Sequence, residues 1–136
     1  MANVSQVKAK TFAASGANTT AICANQTNSG SGSMNLTNTD GVLVPGNLGT
    51  TVTIISTASD SNSGITFDVT GMGVDGSEVS QTGITGPAGT STVTTTTVFT
   101  EVTSITHSGT CTNVSCGITA TTVSYTHLTL PTICSV

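Results

Sequence analysis

The sequence predicts an all-β protein, a single Ig-like antiparallel β-sandwich, with a small β-barrel as the alternative. Three observations carry this. Short stretches alternate apolar and polar residues with period two, as half-buried strands do. Gly, Asn, Asp and Ser turn signals recur roughly every 8–12 residues, the spacing of sandwiches and barrels. No helical period is present. The 136 residues suffice for one domain and one modest core. Hydrophobic residues are 35% and aromatics 3%, so that core must be built of Val, Ile, Ala and Thr methyls rather than large rings.

Residues 1–48 read as N-terminal strands and a flexible loop belonging to the same domain. Val4, Val7 and Phe12 form a first candidate strand, and Thr19–Ala24 (TTAICA) a second. Asn25–Ser33 (NQTNSGSGS) reads as a flexible loop by composition. Met34 and Leu36 alternate with polar neighbours and suggest a short strand. Asp40-Gly41 is a turn, and Val42–Val44 then runs into Pro45. Proline removes a ladder donor, so this piece is an edge strand or ends there.

Residues 49–122 read as the sandwich core. Thr50–Ala58 alternates, with Val52 and Ile54 on one face and Thr51, Thr53 and Ile55 on the other. Ser59–Gly64 is a turn. Ile65, Phe67 and Val69 then share a face. Asp75-Gly76 fits a two-residue type I′ hairpin loop. That loop sets Val74 opposite Ser77, Met72 opposite Val79, Val69 opposite Thr82 and Phe67 opposite Ile84, with Gly83 a candidate bulge. Thr85-Gly86-Pro87 ends the strand. Ser91–Val98 and Val102–Ser108 are the next two strands. Val102 and Ile105 differ in parity, which places one of them at a bulge or strand end. Cys111–Cys116 brackets another turn, and Gly117–Thr122 closes the sheet.

Two stretches carry resemblances. Thr51–Pro87 (TVTIISTASDSNSGITFDVTGMGVDGSEVSQTGITGP) and Val98–Gly109 (VFTEVTSITHSG) resemble a pattern found in small Thr-rich proteins of tailed phages from environmental samples. The pattern runs as a VTITS strand, a D/N turn, GITFTVTGTD, a DG or NG turn, an S-E-T strand and TGP. Together they span just over a third of the chain. The resemblance implies a virion structural protein that decorates a capsid or is associated with a tail, and that forms homo-oligomers. The apparent extra residue at Gly83, and Val98 and Thr100 where lysine is often found, depart from the pattern, so no contact surface is carried over. Val123–Thr132 (VSYTHLTLPT) resembles the translation of a sequencing-library adapter. This implies that 123–136 is a non-native tail; the alternative is a genuine final edge strand.

Composition narrows the function classes. Charged residues are 6%, against about 25% in an ordinary domain. Net charge is −4, and Lys8 and Lys10 are the only basic residues. No basic stripe exists to neutralise phosphates, so nucleic acid is not an expected partner. Anionic membranes are not expected for the same reason, and no apolar run approaches bilayer length. MANVSQVKAK has no apolar run behind its lysines, so it does not read as a signal peptide. The expected location is the virion, after synthesis in a host cytoplasm.

No catalytic, cofactor-binding or metal-binding set is assigned, and no enzyme is expected. Four cysteines are present, one of them, Cys134, in the tail. Cys111 and Cys116 either face each other across a hairpin at bridging distance or remain unpaired small residues. C-x4-C with His107 nearby is a poor zinc pattern. Asp60-Ser61-Asn62-Ser63-Gly64 has the start of a calcium loop but lacks its later acidic ligand, and reads as an Asx-type turn. His107, beside Ser108, is the only candidate base outside the tail. Asp68 and Glu78 could approach across the hairpin. The sequons at Asn3, Asn18, Asn25, Asn35 and Asn113 are what a chain rich in Asn, Ser and Thr gives by chance. The alternative function is an adhesin-like or carbohydrate-binding module, disfavoured by the scarcity of Tyr and Trp. In the virion reading, exposed edges such as Val42–Val44 or Ser91–Val98 are open to strand addition by a neighbour.

Overall fold

The computed structural model describes residues 16–37, 42–43, 49–57, 59 and 61–120. The proposed strand at Val4–Phe12, the Asp40-Gly41 turn, Pro45, Asp60 and the 123–136 tail with Cys134 lie outside these residues. Among the described residues nine strands follow in order: β1 (Asn18–Asn28), β2 (Gly32–Ser33), β3 (Val42–Leu43), β4 (Thr50–Ser56), β5 (Thr66–Met72), β6 (Glu78–Thr85), β7 (Thr92–Phe99), β8 (Glu101–His107) and β9 (Cys111–Ile118). All pairings are antiparallel.

The strands make two sheets, ordered β1-β9-β4-β7 and β2-β8-β5-β6. Strand β3 also pairs with β8, at the end opposite β2. The protein is therefore an all-β sandwich, and the sheets do not close into the alternative barrel. Two neighbour relations of the immunoglobulin order are present, β4 beside β7 and β5 beside β8. The last strand departs from that order. It leaves β8's sheet and inserts between β1 and β4. Among consecutive pairs from β4 onward, only β5 and β6 form a hairpin; the other connections pass from one sheet to the other.

The core follows the alternation. Val52 and Ile54 from β4, Phe67 and Val69 from β5, and Phe99, Val102 and Ile105 from β7 and β8 are fully buried. Strands β1 and β9 add Ile22, Cys23, Cys111, Val114 and Cys116. At about 25 cal/mol per Å² of apolar surface, such burial is what holds a chain this poor in charge together. The backbones of β5 and β8 approach closely at Gly71, where a Cβ would stand 1.9 Å from the Glu101 carbonyl oxygen.

Several local expectations are corrected. The β5–β6 loop has three residues, not two. Gly73 N–H donates to Ser77 O (2.8 Å) and Gly76 N–H to Gly73 O (3.1 Å), with Gly76 at φ 79°. This is a type I turn followed by a left-handed glycine bulge. Asp75 stays at negative φ, which a type I′ loop would not allow. The register near the loop therefore shifts by one, to Met72↔Glu78, Gly71↔Val79 and Val69↔Gln81. The bulge expected at Gly83 then restores Phe67↔Ile84. Gly83 has φ 68°, and its N–H is taken by Asp68 Oδ1 at 2.8 Å.

The parity break between Val102 and Ile105 is a bulge. Thr70 pairs with Ser104 and Gly71 with Val102, so Thr103 is extra and both apolar residues reach the core. Cys111–Cys116 is not a turn but most of β9. Asn113, at φ 50°, forms a bulge within it. The polar run Asn25–Asn28 is strand rather than flexible loop. Its pairing with β9 is supported from the side, since Asn113 N–H donates to Thr27 Oγ1 at 3.0 Å. The strand expected at Met34–Leu36 lies just before it, at Gly32–Ser33, while Met34 itself is buried and donates its N–H to Ile105 O (2.8 Å).

Candidate functional site

The residues singled out for chemistry do not converge. Asn62, from the calcium-like loop, is 3% exposed and serves as a structural pin. Its Nδ2 donates to Thr112 O (3.0 Å) and its Oδ1 accepts from Thr112 N–H (2.8 Å), so the side chain mimics one ladder step against β9. Its backbone N–H donates to Pro87 O (2.9 Å). Removing the side-chain amide would leave two part-buried backbone groups of Thr112 without these partners. Asn62 thus faces inward, away from any surface ion. No group of three or more His, Cys, Asp or Glu suited to a metal occurs among the described residues.

His107 is 4% exposed, at the end of β8, with its ring 6.3 Å from that of Phe67. Nδ1 lies 2.8 Å from Gly109 O, so it carries the hydrogen and donates. Nε2 is buried without a partner among the described residues. The neighbouring Ser108 Oγ accepts from Thr66 N–H (2.9 Å) and is not aligned on the ring. No nucleophile–base pair arises here. Asp68 and Glu78 do not approach either. Glu78 stands opposite Met72, four residues along β5 from Asp68, roughly 13 Å at strand rise.

Cys111 and Cys116 lie on the same strand, five residues apart, and cannot bridge. Cys111 Sγ instead sits 3.8 Å from Met34 Sδ. Burial pushes its thiol up from the ordinary range. The pairing that sequence reading missed is Cys23 with Cys116. They are register partners on β1 and β9, both fully buried and both free. Three register shifts between β1 and β9 set this alignment, and the bulges behind them leave no mark that spacing alone reveals.

Two surfaces remain. A shallow groove of ≈ 280 Å³ runs beside β2 and is lined by Ser33, Met34, Asn35, Leu36, Thr103 and Ser104. Its lining offers hydroxyl and amide groups over a thioether and a leucine, and no ionisable side chain. The other surface is the pair of seams where the sheet edges meet. On one side, Gln81 of β6 accepts from Thr96 N–H (2.8 Å) and Thr97 N–H (2.9 Å) of β7 through one carbonyl oxygen. These amides are freed by a bulge in β7, where Thr95 Oγ1 fills the ladder by accepting from Val52 N–H (2.9 Å). On the opposite side, Gln26 of β1 pairs with the Asn35 backbone through both amide atoms, at 2.9 and 3.0 Å. The β7 edge proposed for strand addition is therefore already occupied at Thr96 and Thr97.

No known protein family, curated protein or solved structure matches this chain.

Proposed function

We propose that the protein is a non-enzymatic virion structural protein of a tailed phage, decorating the capsid or associated with the tail through repeated β-domain contacts. The observation that carries this reading is where the resemblance falls. Thr51–Pro87 spans nearly all of β4 together with β5 and β6, and Val98–Gly109 covers β8 and the corner before it. The resemblance therefore follows three strands of one sheet and one of the other rather than one loop. The surface agrees with it. Thr92, Thr94 and Thr96 are exposed along β7, and neutral hydroxyl groups dominate where charges would ordinarily stand. Such a face can pack repeatedly against capsid or tail proteins, or copies of itself, without charge repulsion. Symmetric, multivalent assembly makes weak single contacts sufficient.

The test is mass spectrometry of density-purified particles. With lysines only at positions 8 and 10, trypsin leaves one very large peptide. A Glu-directed protease releases VSQTGITGPAGTSTVTTTTVFTE, residues 79–101. Recovery in many copies relative to the major capsid protein is expected for decoration, and in few copies for a tail role. Recovery only from cell fractions would overturn the reading in favour of the binding-module alternative, for which the groove beside β2 is the candidate surface.

A further inference from the structure

We propose that Cys23 and Cys116 are a redox site, forming a cross-strand disulfide that fastens edge strand β1 to β9 when the protein meets an oxidising thiol–disulfide environment. The two residues oppose each other in the β1–β9 register. Both are fully buried in one apolar cluster. Directly opposed residues on antiparallel strands hold their Cβ atoms about 4.5–5.5 Å apart, and a disulfide draws them to about 3.5–4.5 Å. Closure therefore asks for a movement of roughly 1 Å. Strand β1 can supply it. Among the described residues it is the outer strand of its sheet, and register shifts flank Cys23 on both sides. The resulting bond is strained enough to be reducible, as befits a switchable rather than a permanent staple.

The two thiols are already unequal. A hydrogen bond from Cys116 holds the Cys23 thiol below its ordinary range, whereas that bond and burial push Cys116 well above. Cys23 is thus the attacking group and Cys116 the resolving one. Access comes from local opening of β1, which its interrupted ladder favours. The Cys23 thiolate attacks a small-molecule disulfide such as oxidised glutathione, forming a mixed disulfide and releasing one glutathione thiolate. Cys116 passes its proton to that thiolate and displaces the second glutathione. Two protein thiols become one disulfide while one small disulfide becomes two thiols. Cys111 is the internal control, since it stands opposite Asn28 with Met34 as its sulfur neighbour.

The experiment equilibrates the full chain in native glutathione buffers of graded oxidation, quenches with acid, alkylates in denaturant and digests after glutamate. Oxidised buffers are expected to yield the peptide 1–78 joined to 102–136, lighter by two hydrogens than the separate thiols. The joined peptide persists in Cys111→Ser and Cys134→Ser and disappears in Cys116→Ser. The oxidised wild-type protein is expected to melt about 5 °C or more above the reduced one. Full alkylation of Cys23 and Cys116 at every glutathione ratio would overturn the proposal, as would a bond from Cys23 to Cys111 or Cys134. The wild-type mapping decides this even if a serine variant fails to fold.

Discussion

At the scale of single residues, small polar side chains do the work that charges do elsewhere. Asp75 is one of few carboxylates, and its Oδ1 accepts from Ser77 Oγ (2.7 Å) and Ser77 N–H (3.0 Å). These bonds hold its pKa below the usual carboxylate value. A depressed native pKa means the contribution is present above the unfolded pKa and is lost as pH falls through the native one. Ser77→Ala is expected to move the Asp75 titration upward toward an ordinary aspartate, read by carboxyl NMR shifts across the acid range. An unchanged titration would show that the hydroxyl does not hold the carboxylate. Asn62 makes the same point in the interior. In the sequence it looked like a turn residue with a hint of calcium chemistry. Its burial depends on Thr112, fifty positions away, and no local window contains that information.

At the scale of elements, the edges are closed by glutamine side chains. Gln81→Ala removes the acceptor for Thr96 and Thr97 N–H and leaves the β7 bulge open. The expected cost is about 1–2 kcal/mol in urea unfolding. Faster hydrogen exchange should appear at the Thr96 and Thr97 amides, with Ile54 on the opposite ladder unchanged. Equal exchange at all of these would mean the seam is held by packing alone. Strands with alternating Val, Ile and Phe were legible in the sequence, and so were the bulges at Gly83 and between Val102 and Ile105. Parity and glycine leave visible marks. The loop at Asp75-Gly76 was half legible, because the same dipeptide serves a type I′ turn and a type I turn with a bulge. Strand β9 was legible only at its end, where Gly117 and Ile118 fall in the expected closing strand. Its Asn113 and flanking cysteines look like turn residues, and only the partners β1 and β4 extend them. The polar end of β1 was hidden for the same reason, as its order comes from Gln26, Thr27 and groups they meet elsewhere. The Cys23–Cys116 pairing was hidden with β9, although Thr19–Ala24, which carries Cys23, reads as a strand.

At the scale of the whole molecule, nearly every strand pairing joins residues distant in the chain. Such topologies close long loops before contacts repay the entropy. Refolding after dilution from denaturant is expected on a time scale of about milliseconds to seconds, measured by stopped-flow circular dichroism. A full-amplitude microsecond phase would contradict it. The two glutamine seams tie the sheets at opposite sides, so the sandwich behaves as one body even though its sheets share no continuous ladder. One further consequence follows from Asn18 standing directly opposite Ile118. Strands β1 and β9 present these residues at the same end of an antiparallel pair. A pull applied there loads the ladder one rung at a time, as a zipper opens, rather than shearing all rungs together. The fold is thus mechanically soft along this line. A bond at Cys23 would arrest the tear partway along β1 and turn a weak seam into a strap that bears tension.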